Sequence, residues 1–385
     1  MKYRSSLIAV PTLALLATLA GCAFPGGSQT LPKPTSTIAD AALAKVAGQV
    51  LSKGPNGETA SPASTAELTP AEVDKVKALK AKAAIVMHTG GDDWSQAQIA
   101  GLRSEFAKLG IEVVATTDAN FDPKTQVNNL QTVMAKKPNI IVSLPTDPVA
   151  TASAYRAAAA GGAKLVFMDN VPAGFKAGTD YVSCVSADNY GNGVISAHLL
   201  AKALDGKGKI GVIYHDADFF VTKQRYDGFR TTIQQDYPGI QIVESKGVSG
   251  PDFATQAQNS ASAIMISHPD LDGIWGVWDV PSEGILAAAR AAGRLGLRIA
   301  TEDLGKIVAI NMAKNTMIVG LGAQVPFDQG VTEALLGAGS LIGKTAPPYV
   351  ALPALAVTHE NVLQAWQQVY HQAPPADLKD SFNAK

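Results

Sequence analysis

Ala83-Ala84-Ile85-Val86-Met87-His88-Thr89-Gly90-Gly91-Asp92-Asp93-Trp94-Ser95 is the stretch from which the fold of this 385-residue chain is read. Five consecutive apolar residues, 83–87, predict a strand buried on both faces, the pattern of a parallel sheet covered by helices. Gly90-Gly91 breaks the chain. Residues 98–109 then carry Ile99, Leu102, Phe106 and Leu109 at the three- and four-residue spacing of one helix face. Gly110 follows, where a helix end favours a residue without a Cβ. Asp92, Asp93 and Trp94 thus fall at the carboxyl end of a parallel-type strand, the edge at which open α/β sheets hold ligands.

Toward the C-terminus the same unit repeats. Strands are predicted at 111–115, 140–144, 164–168 and 181–185, with helices at 125–136 and 150–160. A second run begins with a helix at 189–204. It has strands at 209–214, 241–245, 273–278, 297–301 and 318–321, separated by helices at 223–235, 254–267, 283–292 and 306–314. A helix at 329–341, a strand segment at 349–357 and a helix at 361–370 close the chain. Strand and helix alternating through short loops is the mark of a doubly wound α/β fold, and two runs of similar size predict two lobes. Asp92, Trp94, Asp169, Asn170, Trp278, Asp279 and Asp303 recur at strand ends of both runs, which predicts a site in the cleft between them. Trp275 alternates with Trp278 along its strand and is assigned to the core.

Toward the N-terminus the composition shifts. Residues 23–82 are rich in Pro, Gly, Ser, Thr and Ala, spacer chemistry with two short helices, one at 38–51 and one opened by Thr69-Pro70-Ala71-Glu72. Lys2 and Arg4 precede an apolar run at 7–19 of signal-peptide length. Leu19-Ala20-Gly21-Cys22 resembles the lipobox of bacterial lipoproteins, which implies cleavage before Cys22 and lipid on its thiol. An ordinary secretory signal with a chance cysteine is the alternative.

Composition excludes several classes. Lys+Arg total 32 against 33 Asp+Glu, so nothing marks a nucleic-acid or anionic-membrane surface. Two cysteines are too few for a disulfide framework. Cys184 reads as a small buried hydrophobe, with no base identifiable beside it. The six histidines, at 88, 198, 215, 268, 359 and 371, show no metal-ligand spacing. No phosphate-binding glycine loop or nucleophile elbow is present, and no cofactor is expected.

From about 82 to about 358 the chain resembles the periplasmic sugar-binding proteins of the ribose-binding type, the solute receptors of ABC importers. The resemblance rests on the opening strand, loop and helix ending in Lys108-Leu109-Gly110, and on Pro145-Thr146-Asp147 and Met168-Asp169-Asn170. It continues through Asp188-Asn189, Arg225-Tyr226-Asp227-Gly228-Phe229, His268-Pro269-Asp270-Leu271-Asp272 and Ala323-Gln324-Val325-Pro326. It implies two Rossmann-like lobes with parallel sheets joined by a three-strand hinge near Ala187, Gln324 and Pro353. The segments implied are a signal peptide at 1–21, a lipidated Cys22 with a flexible linker to 81, an N-terminal lobe of 82–187 plus 325–352, and a C-terminal lobe of 188–324 plus 353–385.

The same resemblance implies ligand contacts from Asp92, Trp94, Asp169, Asn170, Arg225, Phe253, Trp278, Asp303 and Gln324. Asp93 and Asp279 are further candidates by position. The chemistry agrees, since hydroxyl-rich ligands need charge-assisted acceptors and donors, and their C–H faces pack on aromatic rings. Blander roles exist for some of these. Asp92 and Asp93 can serve the positive end of a helix, and Arg225 can pair with Asp227 or Asp236. Ser95 replaces a family phenylalanine, Asn170 a cleft arginine and Trp278 an asparagine, which points away from ribose toward a smaller or acyclic polyol.

The function implied is a lipid-anchored, extracytoplasmic, non-enzymatic monomer that closes over a neutral sugar or polyol and presents it to an ABC permease. Two alternatives share these residues: a receptor handing a sugar-like autoinducer to a membrane sensor, and a glycoside hydrolase using Asp92 and Asp169 as its two carboxyls.

Overall fold

The computed structural model describes residues 35–384; the signal segment, the lipobox and Cys22 lie outside the described residues. In chain order the elements are α1 (Thr35–Val46), α2 (Pro70–Ala78), β1 (Lys82–Met87), α3 (Asp93–Lys108), β2 (Glu112–Asp118), α4 (Pro123–Met134), β3 (Ile140–Ser143), α5 (Ala152–Ala160), β4 (Lys164–Met168) and β5 (Ser183–Ala187). There follow α6 (Asn189–Ala203), β6 (Lys207–His215), α7 (Phe220–Asp236), β7 (Gly239–Val248), α8 (Phe253–Ser267), β8 (Gly273–Gly276), α9 (Asp279–Ala291), β9 (Arg298–Glu302), α10 (Lys306–Ala313) and β10 (Ile318–Ala323). The last are α11 (Pro326–Leu341), β11 (Tyr349–Leu352), β12 (Leu355–Val357), α12 (Val362–Tyr370) and α13 (Ala376–Asn383).

Two six-stranded sheets result, ordered β11-β5-β4-β3-β1-β2 and β12-β10-β9-β8-β6-β7. All pairings are parallel except β10 with β12. The apolar run 83–87 is fully buried inside the first sheet, between β3 and β2, as strands covered on both faces must be. Position for position, β1 matches β6, β4 matches β9, and β5 matches β10. The chain passes between the sheets after β5, after β10 and between β11 and β12. The segment 349–357 is therefore two strands in different sheets, split at Pro353, which cannot donate to a ladder.

Local chemistry sets the helix starts. Thr69 and Glu72 form a reciprocal capping box on α2, and the Asp122 side chain caps α4 ahead of Pro123. The strand expected at 273–278 ends at Gly276. Trp278, still extended at φ −163° and ψ −178°, is the residue before α9, whose first turn accommodates Pro281.

From Thr35 to Ala81 the chain is not the spacer that its composition suggests. α1 lies on α6, with Lys202 Nζ 2.7 Å from Asp40 Oδ1. Further on, the Leu51 and Ser52 N–H groups donate to the two oxygens of Asp188 at 2.9 and 2.8 Å, and Ser52 Oγ accepts from Tyr190 N. Ser61 bridges to Val350 of β11, and Ala66 and Val76 are buried in the core of the first lobe. Scattered alanine, valine and leucine in this stretch find apolar ground on the lobes, and its backbone satisfies a buried carboxylate at the first crossing.

Candidate functional site

The site is assembled from the carboxyl ends of both sheets. His88 follows β1, and the chain turns through Gly90-Gly91 into α3, whose first N–H groups are capped by Asp92: Ser95 N donates to Asp92 Oδ1 at 2.7 Å. Trp94 lies in the first turn of that helix. Asp169 follows β4 and Asp303 follows β9, and both residues occupy left-handed backbone, φ 53° and 61°. That conformation is costly for a residue with a Cβ and is held only where the surroundings impose it.

Arg225 reaches the cleft from α7. Its neighbourhood explains the spacing Arg225-x-x-Gly228-Phe229. A Cβ on Gly228 would come within 2.3 Å of Tyr190 O, and one on Gly193 within 2.1 Å of Arg225 O, so glycines let α6 and α7 touch backbone to backbone. Phe229 stacks on Trp275 at 4.7 Å beneath the sheet, which puts Trp275 in the core with its Nε1 on Ser196 Oγ. Anchored in this way, Arg225 donates to Asp303 Oδ2 at 2.8 Å, to Asn189 Oδ1 at 2.8 Å and to Val277 O at 3.3 Å. Gln324 Nε2 donates to the other Asp303 oxygen at 2.9 Å.

These groups line one cavity with His88, Phe121, Leu144, His215, Phe219, Val221, Thr222, Trp278 and Asp279. About 70 Å³ of it can take the centre of a water molecule, roughly five to seven water positions at about 10–15 Å³ each. Its walls meet across the lobes: the Phe121 and Phe253 rings lie 5.2 Å apart, and Lys306 N donates to Asp93 Oδ2 at 2.7 Å.

Of the residues expected from sequence, the structure brings Asp92, Trp94, Asp169, Arg225, Trp278, Asp279, Asp303 and Gln324 together around the cavity. Three stand outside its lining. Phe253 supports Trp278 from behind, ring to ring at 4.8 Å. Asn170 is buried with neither side-chain polar atom hydrogen-bonded among the described residues. Asp93 is exposed and spends its carboxylate on the N-terminus of α10. Trp94 and Trp278 do come from opposite lobes, but from helix starts rather than strand ends.

The sequence reading missed the two histidines and the phenylalanines. His88 follows β1 and His215 ends β6, the equivalent strand of the other sheet, and both point into an aromatic enclosure. His88 packs edge-on against Trp94 and Phe121, and His215 against Phe253 and Trp278. The usable signal was position, immediately after the apolar run in each lobe. Phe121 and Phe219 sit in loops with no periodicity to expose them.

Burial governs the electrostatics. It pushes His88 down to about 3 and His215 down to about 4, so both are neutral at pH 7. It lifts Asp92 to about 6, with the Ser95 hydrogen bonds opposing and Asp303 and Asp93 adding repulsion. It lifts Asp169 to about 6 against the Ser186 hydroxyl, which donates at 2.6 Å, and the Arg225 charge. Asp279 is held well above the carboxylate range by burial and by Asp303 and Asp92. Burial also raises the Cys184 thiol well above its ordinary value, so this cysteine is an inert part of the core. Among the described residues no cluster of three or more His, Cys, Asp or Glu is arranged to hold a metal ion.

A profile of the periplasmic binding protein domain matches residues 83–344. The chain is 24% identical over 195 residues to the ribose import binding protein of Bacillus subtilis, covering 50% of this chain and 60% of that protein. It is 26% identical over 227 residues to the D-ribose/D-allose-binding protein of Pseudomonas aeruginosa, covering 58% and 70%. The chain therefore spans about three fifths of the first relative's length. Among solved structures, an ABC transporter solute binding protein from Agrobacterium vitis bound with alpha-D-tagatopyranose superposes with a TM-score of 0.69 at 24% identity, covering 76% of this chain and 99% of that one. This likeness shows the fold, two α/β lobes built on parallel sheets.

Proposed function

Because the chain belongs to the periplasmic binding protein domain family, we propose that it is a non-enzymatic receptor that closes over a sugar or polyol and hands it to an ABC permease. The observation that carries this reading is a single cavity walled by both lobes. Asp92, Trp94 and Asp169 come from one side, Arg225, Trp278, Asp279 and Asp303 from the other, with Gln324 at a crossing. We divide the lobes at 82–187 with 325–352 and 188–324 with 353–385, so closure is a hinge motion at the three crossings, biased by contacts made only when both walls reach the ligand.

In this reading the carboxylates accept hydroxyl hydrogen bonds, Arg225 donates, and the two tryptophans cover C–H faces. At about 30 Å³ per water the cavity has room for roughly 150–210 Å³, which suits a small monosaccharide or a shorter polyol. The relatives named above are binding proteins by name, so the hydrolase alternative is not carried forward.

The motif Leu19-Ala20-Gly21-Cys22 supports an extracytoplasmic protein held to the membrane by lipid on Cys22. Cys22→Ser should release the protein or leave it unprocessed, and unchanged membrane retention with normal processing sinks that anchor.

The test of the reading is a thermal-shift screen against pentoses, hexoses, alditols and their amino derivatives. A ligand present at about a hundred times its Kd stabilises by about 2.7 kcal/mol. No shift from any of them at millimolar concentration would remove the assignment.

A further inference from the structure

The charges around the cavity do not balance. Four carboxylates line it, Asp92, Asp169, Asp279 and Asp303, against one guanidinium, Arg225. The two imidazoles, His88 and His215, are kept neutral by burial. Arg225 is already committed to Asp303, the only lining carboxylate with an ion-pair partner among the described residues. Asp169 has a single hydroxyl donor, Ser186 Oγ. Asp92 and Asp279 bond only to backbone N–H groups at the starts of their own helices. Asp279 is only 6% exposed; burial and its acidic neighbours hold it toward the protonated form, and a cation beside it would stabilise the carboxylate instead.

A second observation points the same way. Gln324 lines the cavity and is 2% exposed; with its Nε2 on Asp303, its Oε1 has no donor. The lining is therefore rich in acceptors and short of positive charge, and its remaining wall is aromatic: Trp94, Phe121, Phe219 and Trp278. Indole and phenyl faces attract cations, most strongly where water is excluded.

A neutral polyol could fill the acceptors but would bring no charge to Asp92 and Asp279, which stand on opposite lobes. We propose that the ligand is an amine-bearing sugar or polyol, its ammonium held between Asp92 and Asp279 and its hydroxyls taken by Asp169, Arg225, Asp303 and Gln324. This rests on the sugar-receptor reading and replaces only the expectation that the ligand is neutral. An ammonium supplies one positive charge and three donors at once, and it can satisfy acceptors from both walls only when the lobes are closed.

The experiment is titration calorimetry of the purified protein with matched pairs: glucitol and 1-amino-1-deoxyglucitol, inositol and its monoamine, glucose and glucosamine, each amine also as its N-acetyl derivative. For at least one pair the amine should bind ten-fold or more tighter than the hydroxyl compound, and acetylation should abolish the gain. Asp92→Asn, which keeps a helix cap, and Asp279→Asn should each erase most of the preference while circular dichroism and melting show an intact fold. If the hydroxyl partner binds as well as the amine, the inference is overturned and the sugar-receptor reading survives. If the amine preference persists in both variants, the assigned ammonium position is wrong. If no compound of either kind binds, the receptor reading itself falls.

Discussion

Asp169 and Asp303 occupy the same place in two lobes of the same design. Each follows the strand third in the order of its sheet, each takes a left-handed backbone, and each N–H donates to the neighbouring strand, to Val185 O at 2.8 Å and to Gly322 O at 3.0 Å. Their partners differ. Asp303 is held by a guanidinium and a carboxamide, whereas Asp169 has one hydroxyl and is pushed up to about 6. One wall of the cleft is thus completed by its own side chains. The other carries an under-satisfied acceptor that only a ligand, or a proton, can complete. Repeating a fold repeats the backbone device; the charge state of the group mounted on it is set by what the other elements bring within reach.

The comparison breaks most violently at Arg225. Arg225→Met leaves Asp303 buried without its counter-charge, a class of change that costs about 3–5 kcal/mol of folding stability. Urea unfolding should show that loss together with loss of ligand binding; a change below about 1 kcal/mol would mean that the pair does not hold the second wall.

Asp169→Ala should act in the opposite manner, sparing the fold and abolishing most of the binding. Each hydrogen bond to a charged group is worth about 1.5–3 kcal/mol. Calorimetry giving an affinity within a few-fold of the parent would show that the two aspartates are not functional equivalents.

The aromatic walls are a smaller effect. Trp94→Ala and Trp278→Ala should each weaken binding by about 1–2 kcal/mol, the value of ring surface buried at about 25 cal/mol per Å². Both residues change environment on closure, so each variant should also lose part of the ligand-induced fluorescence shift. Parental affinity with the full spectral change in both would place the ligand elsewhere.

The pH response is the finest probe. Asp92 and Asp169 have folded-state values near 6, above the ordinary carboxylate range near 4, so between about pH 4 and 6 the folded state binds more protons than the unfolded one. Stability of the unliganded protein therefore falls as pH rises through that window, by about 2 kcal/mol per group. Asp169→Asn should flatten its share and Asp303→Asn should not remove it. A stability that instead rises steadily from pH 4 to 6 in the parent would contradict unpaired carboxylates on the first wall.

Much of this was legible in the residues. The apolar run 83–87 and the strand–helix alternation gave two lobes; strand-end chemistry led to six of the side chains that meet in the cavity, and the family resemblance added Arg225 and Gln324. Arg225-x-x-Gly228-Phe229 was recognisable as a unit before its reason, close contact of two helices, was visible. Asp93 was misplaced because an acidic residue at a helix start reads the same whether it faces a ligand or another helix's N-terminus. Residues 35–81 were misread because their composition is that of a spacer. What decides the matter is whether a distant surface offers cover, and Asp188 and β11 do.

By itself the sequence determined what local interactions govern: which segments are strands buried on both faces, where Thr69 and Asp122 start helices, where Gly110 ends one. These depend on side-chain period and on hydrogen bonds a few residues away. Tertiary structure alone decided which histidines are neutral, which aspartate gains a guanidinium, and that the N-terminal segment straps the first crossing. Those outcomes follow from desolvation, hydrogen-bond and Coulomb terms between groups far apart in the chain, such as Leu51 and Asp188, 137 positions apart, and no window of sequence contains both members of such a pair.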